Sequence, residues 1–308
     1  EEYKVKVMFT APTAFRAIKK EDPKGKFLEE YDISSLKYQF LAGERCDITT
    51  LKWAQQMLKV PVIDHWWQTE SGWPMLANMV GVELAIVKPG SATFPVCGYD
   101  IQILSEEGHV VNAGTEGYVT VKLPLPPGNL LNIWGNPERF FAGYLERFPG
   151  YYFSGDGGYR DKDGYVYITG RVDDVINVAG HRLSTAEMEE IVASHPSVAE
   201  CAVIGIHDDL KGQIPLALAV TKSDNGIAES VIQDEVVRDV RKNIGAVAAL
   251  KQVIIVERLP KTRSGKILRK LLRSIADNED FKVPSTIDDP AIIDEITHRL
   301  KTHKVGKH

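Results

Sequence analysis

Near its end the chain reads LPKTRSGKILRK, residues 259–270, with three cations, Lys261, Arg263 and Lys266, in six residues. A lysine beside a Ser-Gly pair can bind an anion, because glycine lets backbone approach closely and a helix start offers free N–H groups. The apolar-basic run after it predicts a helix beginning at Lys266. The triphosphatase phosphate loop is excluded: Ile267 follows the lysine, and Pro260 stands where that motif needs its first glycine. The other reading is a solvated charged face. Three further stretches carry residues able to do chemistry. They are AGERCD (42–47), DHWWQTESG (64–72) and YYFSGDGGYR (151–160), the last followed by Arg171. Adjacent tryptophans stack on flat ligands or fill a core. Asp156, between glycines, forms a turn or accepts two hydroxyl hydrogen bonds.

The elements that must position these residues follow from periodicity. VKVMFT and VPVID read as short buried strands. TTLKWAQQML between them reads as an amphipathic helix, with Leu51, Ala54 and Leu58 on one face. That order suggests a parallel α/β layer. After residue 95 the stretches YDIQIL, GYVTVKL and GYVYITG alternate apolar and polar, separated by the turn signals SEEGH and DKDG. From about residue 173 the rhythm changes to a small α+β module. Ser184 and Glu187 form a capping box opening a helix through Val192. AECAVIGI, PLALAV and QVIIVE are strand-length runs. ESVIQDEVVRDVRKN is a helix burying Ile232, Val236 and Val240, and Ile267, Leu268, Leu271, Leu272 and Ile275 form an apolar stripe. GRVDDVINVAGHR (170–182) reads as a surface crossing, so the domains are placed at 1–172 and 173–308.

Composition narrows the class. The 308 residues are 44% hydrophobic and 26% charged with a net charge of −5, the balance of a globular protein with no bulk attraction to nucleic acid or an anionic membrane. Cys46, Cys97 and Cys201 are odd in number and far apart, which suits a reducing compartment, the cytoplasm or the mitochondrial matrix. His298, His303 and His308 lack partners at a metal spacing and read as a frayed polar tail. The first residues, EEYKVKVMFT, carry neither an initiator methionine nor a signal-peptide pattern, and are expected to continue from a longer chain.

The four stretches in this order resemble the AMP-forming acyl-CoA synthetases of the adenylate-forming superfamily, over essentially all 308 residues. DHWWQTESG resembles their nucleotide signature, YYFSGDGGYR the ribose stretch, GRVDDVINVAGHR the hinge and LPKTRSGKILR the catalytic-lysine loop. KLPLPPG (122–128), DVINVAGHRLS (174–184) and TIDDPAIIDEI (286–296) resemble the propionate branch more than the acetate branch. The resemblance implies the second half of a large nucleotide- and acyl-binding domain plus a complete small mobile domain. It implies ATP, Mg²⁺ and coenzyme A, and a short-chain carboxylate, propionate, activated as acyl-AMP before transfer to the thiol; the alternatives are an acetate–CoA ligase, or a catalytically incomplete fragment acting only as a nucleotide- and coenzyme A-binding module.

By the same resemblance, Gly43, Glu44 and Arg45 line the adenine. Asp64, His65, Trp66, Trp67, Gln68 and Thr69 wrap adenine and phosphate. Asp156 and Arg171 hold the ribose, Arg182 reaches the phosphate, Glu70 holds Mg²⁺, and Lys266 bridges carboxylate and α-phosphate. Trp67 floors a small acyl pocket. Ala42 stands where acetate enzymes usually carry valine, which favours propionate by ~1 kcal/mol, or it is a packing residue. Asp173 is the hinge, and Ala179, Gly180 and Arg241 contact coenzyme A. Enzymes that acylate and deacylate lysine are expected partners at Lys266. The family's glycine- and serine/threonine-rich phosphate loop and an arginine cluster for coenzyme A are expected upstream. This polypeptide alone is therefore expected to form little acyl-AMP.

Overall fold

The computed structural model describes residues 2–44, 46–222, 226–263 and 265–305, with the backbone alone at Arg182. Contacts divide the chain into two compact units, residues 1–12 with 27–173, and residues 13–26 with 174–308. No described helix is long and apolar enough to cross a membrane.

The first unit opens with β1 (Val7–Thr10), from which α1 (Pro12–Glu21) leads into the second unit. On return the chain forms β2 (Tyr38–Leu41), α2 (Ile48–Leu58) and β3 (Val62–Asp64). The three strands are parallel in the order β1-β2-β3. Helix α2 starts where the Asp47 carboxylate accepts the Thr50 N–H at 2.7 Å, satisfying one of the donors a helix start leaves open. It ends at Lys59, in the left-handed region at φ 55°. Leu51 and Ala54 are buried beneath it, as their spacing predicts, and Leu58 is half-buried. Strand β1 differs from expectation. Its apolar side chains are not buried: Val7 and Phe9 are 51% and 57% exposed. Among the described residues it is an edge strand paired only with β2, so its composition reports strand propensity without burial.

Beyond the small ladder of β4 (Leu76–Ala77) and β5 (Phe94–Pro95) lies a four-stranded antiparallel sheet. It is built from β6 (Ile101–Leu104), β7 (Gly117–Lys122), β8 (Tyr151–Arg160) and β9 (Val166–Arg171), in that order. Alternate residues Ile101, Ile103, Val119, Val121, Tyr152 and Val166 point into one core with Met75 and Leu76. Helix α3 (Pro137–Tyr144) precedes β8, capped by Asn136, whose side chain accepts the Arg139 N–H at 3.0 Å.

The second unit has its own two-faced core. After Asp174 come β10 (Ile176–Val178), β11 (His181–Leu183), α4 (Thr185–Ser194), β12 (Val198–Asp208), β13 (Gly212–Thr221), α5 (Glu229–Asn243), β14 (Val253–Ile255), α6 (Arg269–Ala276) and α7 (Ile292–Thr302). The sheet runs β11-β10-β13-β12, with β14 joining β13 in parallel. Ala202, Ile204 and Ile206 face α6 and α7, whereas Cys201 and Val203 face α4 and α5. Both faces are covered, so these strands are continuous apolar runs instead of alternating ones. Ser184 caps α4 through the Glu187 N–H, at 3.4 Å.

Three expectations need correction here. The stretch after Asp173 is a hairpin, β10–β11, and not a bare surface crossing. Its two-residue turn, Ala179 (φ 49°) and Gly180 (φ 86°), has both residues at positive φ, the geometry that matches strand twist. The C-terminal segment is no frayed tail. Ile292, Ile296 and Leu300 bury one face of α7, and Val305 is fully buried. His298 and His303 ride on that element, while His308 lies outside the described residues. Finally, the helix after the lysine loop begins at Arg269, so Lys266 does not sit at its mouth.

Candidate functional site

Strand β8 places the first group of site residues. Between the pairs Val119–Asp156 and Thr120–Phe153 the ladder with β7 slips, leaving Ser154 and Gly155 as extra residues in a bulge. Bulges re-aim side chains, and this one turns Asp156 inward to 7% exposure. Asp156 therefore does not lie in a turn. Its Oδ2 accepts the indole N–H of Trp66 at 3.1 Å and the Gln68 amide N–H at 2.7 Å. Arg171, its cross-strand partner on β9, brings Nη1 to 3.5 Å from Oδ1. Gly155, at φ 74°, makes this possible: a Cβ there would stand 2.4 Å from Arg171 Nη2. The guanidinium lies over that bare backbone, donating to the Ser154 carbonyl at 2.8 Å. It also approaches Asp173, at 3.8 Å.

The carboxyl ends of β2 and β3 supply the second group. Leu41 and Asp64 are register partners, so the loops that follow, Ala42–Glu44 and His65–Thr69, leave the sheet side by side. Crevices at such ends are the usual ligand sites of parallel sheets. Ala42 is buried, Gly43 is exposed with φ 99°, and Arg45 lies outside the described residues. Asp64 is buried. His65 is mostly buried, 5.4 Å from the ring of Phe9 and 5.9 Å from that of Phe40. Burial pushes its pKa down to about 4, so the imidazole is neutral at pH 7, and Nδ1 meets no partner among the described residues. Trp66 packs on the β-sheet core, whereas Trp67 is 38% exposed. The two adjacent indoles thus divide the core and surface roles between them.

Gln68 ties the two groups together. It donates to Asp156 and to the Ser154 carbonyl, and accepts the Tyr152 hydroxyl at 2.9 Å. The following turn, Thr69–Ser71, carries Glu70, whose Oε1 accepts the Tyr144 hydroxyl at 2.8 Å. Burial and this hydrogen bond raise the pKa of Tyr144. Neither tyrosine stands out in the sequence as a site residue. Tyr144 lies 74 residues from Glu70, a separation no local pattern reveals. Tyr152 stands within the quoted ribose stretch, but its partner Gln68 comes from another element.

The second unit carries the remaining residues. Lys266 closes a tight loop bounded by a bridge between Lys261 and Ile267. Thr262 shapes it, donating its N–H to the Lys266 carbonyl at 2.8 Å and accepting the Lys266 N–H on Oγ1 at 3.1 Å. Gly265, at φ 87°, offers its carbonyl to the Thr13 hydroxyl of α1 at 3.1 Å. Lys266 is exposed, and its ammonium meets no acceptor among the described residues. Lys261, by contrast, is committed to Glu200 at 2.6 Å. Ala179 and Gly180 present the hairpin turn, Arg182 pairs with Asn177 along β11, and Arg241 is exposed in the last turn of α5.

These features coincide with matches to known proteins. The sequence model of AMP-binding enzymes matches residues 1–126, and that of the AMP-binding enzyme C-terminal domain matches residues 187–266. An uncharacterized protein of Pseudomonas aeruginosa is 54% identical over 306 residues, 99% of this chain and 49% of its own length. Acyl-CoA synthetase short-chain family member 3, mitochondrial, of Pongo abelii is 48% identical over 97% of this chain and 44% of its own length. Propionate–CoA ligase of Escherichia coli is 42% identical over 98% and 49%. The crystal structure of the anthranilate CoA ligase AuaEII in complex with anthranoyl-AMP is 28% identical with a TM-score of 0.75, over 88% of this chain and 50% of that one. The chain thus spans about half the length of the curated relatives it matches. With two models of one enzyme family matched in order and relatives aligned along nearly its whole length, the fold is that of the adenylate-forming enzymes, and the chain belongs to the AMP-binding enzyme family.

Proposed function

We propose that the full-length protein joins a short carboxylate, propionate foremost, to coenzyme A while cleaving ATP to AMP and pyrophosphate. The observation that carries this reading is the Asp156 carboxylate, buried on the β8 bulge and braced by Trp66, Gln68 and Arg171, in a chain of the AMP-binding enzyme family. A ribose presents adjacent hydroxyls, and a fixed ionised carboxylate is an acceptor for both. Gly43, Glu44, Arg45 and the loop Asp64–Thr69 would enclose the adenine and phosphates, with Arg182 on the phosphate.

In the first step a substrate carboxylate oxygen attacks the α-phosphorus, and the bond to pyrophosphate breaks. Two anions must meet, and Lys266 would stand between them. Its exposed ammonium, unpaired among the described residues, supports that role by offsetting their repulsion and aligning both groups. In the second step the coenzyme A sulfur, having lost its proton, attacks the acyl carbonyl carbon and AMP departs. The exposed turn at Ala179 and Gly180, together with Arg241, would receive coenzyme A, with Asp173 as hinge.

Glu70 fits Mg²⁺. One oxygen is held by Tyr144, while Oε2 meets no donor among the described residues. No cluster of three metal-binding side chains occurs among the described residues. Mg²⁺ is commonly held by one or two carboxylates together with phosphate oxygens. Bound there, it would neutralise part of the triphosphate charge.

Buried Ala42 and the indole of Trp67 support a small acyl group. The three cysteines, none of them in a disulfide among the described residues, suit the cytoplasm or the mitochondrial matrix. Acylation of Lys266 would remove its charge and arrest the first step, making modifying enzymes the partners to seek. The deciding measurement is kcat/KM of the full-length protein with acetate, propionate and butyrate, following AMP and pyrophosphate. Propionate should lead acetate several-fold, in keeping with one buried methylene. An acetate preference would assign the acetate reaction instead, and absence of pyrophosphate release with all three acids would overturn the reading.

A further inference from the structure

Tyr144 ends α3 and reaches across the first unit to Glu70, donating to Oε1 at 2.8 Å. Its ring lies flat on Tyr152, with centroids 5.4 Å apart and planes 5° from parallel. The Tyr152 hydroxyl holds Gln68 Oε1, and the other end of that amide holds Asp156. One continuous path of hydrogen bonds and a stacked ring pair therefore runs from Glu70 to Asp156, through two residues that the reading above leaves without a role.

We propose that Tyr144 is a positioning residue for the divalent cation: its hydroxyl pins Oε1 of Glu70 so that Oε2 alone is presented to the metal. The inference rests on the assignment of Glu70 as metal ligand. A glutamate has three side-chain torsions and sweeps a wide arc when free, and fixing it costs conformational entropy at the moment of binding. Pinned by a phenol whose own ring is clamped against Tyr152, the carboxylate is arranged before the cation arrives. The Leu130 N–H donates to the Glu70 carbonyl at 2.6 Å and fixes the backbone of the same residue. Hydrogen-bond partners of metal-binding carboxylates commonly contribute 10–100-fold to metal affinity.

The test uses Tyr144→Phe, which keeps the ring and its stacking and removes only the hydroxyl, beside Glu70→Gln, in the full-length protein. Mn²⁺ is the probe, titrated in the presence of a non-hydrolysable ATP analogue, with free Mn²⁺ followed by electron paramagnetic resonance. Tyr144→Phe should raise the Mn²⁺ Kd about tenfold. It should raise the Mg²⁺ activation constant in parallel, leaving KM for the carboxylate, metal-free AMP affinity and Tm unchanged. A packing role alone would lower Tm without moving the metal constants, and that result overturns the proposal. Wild-type Mn²⁺ affinity in Tyr144→Phe, with affinity lost in Glu70→Gln, overturns the role of Tyr144 but leaves Glu70 as ligand. Wild-type affinity in both variants removes the metal assignment itself, and the proposal with it.

Discussion

A cation whose backbone is pinned and whose ammonium is unclaimed keeps its charge for a ligand. Among the described residues Lys266 meets that description, whereas Lys261, in the same loop, is already paired with Glu200. Replacing Lys266 by Gln should slow pyrophosphate-forming turnover on the order of 10²–10³-fold. Thioester formation from supplied acyl-AMP should suffer far less, and equal losses in both half-reactions would remove the assigned role. His65 makes a second prediction. Unfolded, it takes up a proton near pH 6.5; folded, it refuses one until about pH 4. Between those values the unfolded state binds more protons, so stability falls as the pH drops. The full effect is on the order of 3 kcal/mol, present as a loss below pH 4 and absent above pH 7. Thermal melts of His65→Gln and wild type should therefore converge toward acid, starting between pH 6.5 and 5. The sequence marked both residues by neighbourhood. It could not mark their opposite fates, because exposure depends on Phe9, Phe40 and Thr262 and on how those residues pack.

At the scale of elements, the reading from sequence held where one period dominated, as in α2, α5 and the β12 and β13 runs. It failed where side chains compete with backbone. The stripe Ile267, Leu268, Leu271 predicts a helix from Lys266, but the Thr262 hydroxyl takes the Lys266 N–H and the helix waits until Arg269. The periodic signal for α7, Ile292, Ile296 and Leu300, was present four residues apart and was masked by three histidines that look like a polar tail. The β10–β11 turn was hidden because Ala179 is an uncommon choice at φ 49°. A residue with Cβ costs roughly 1–2 kcal/mol in that region, and Asn or Gly tolerates it better. Ala179→Asn should raise Tm by a few degrees in thermal melts. If the backbone is what coenzyme A meets there, KM for coenzyme A should stay near wild type. Gly155→Ala should do the reverse: its Cβ would displace the Arg171 guanidinium, and AMP affinity by calorimetry should drop with it.

For the molecule as a whole, the division into two contact units matters more than the count of elements. The break falls at Asp173–Asp174, yet the second unit also claims residues 13–26, which the chain order would assign to the first. The sequence could not place α1, whose attachment is long-range and includes the Thr13–Gly265 hydrogen bond. Cutting the polypeptide after Asp173 is therefore not a clean excision. The severed first piece would carry α1 stripped of its bed, baring Phe15, which is only 4% exposed in the intact chain. Such a piece should bind a hydrophobic dye and run as mixed aggregates on a sizing column, whereas a version with residues 13–26 swapped for a short glycine-serine bridge should run as a single species. Anyone dissecting this protein would do better to treat α1 as luggage of the far half, to be carried with it or left out altogether.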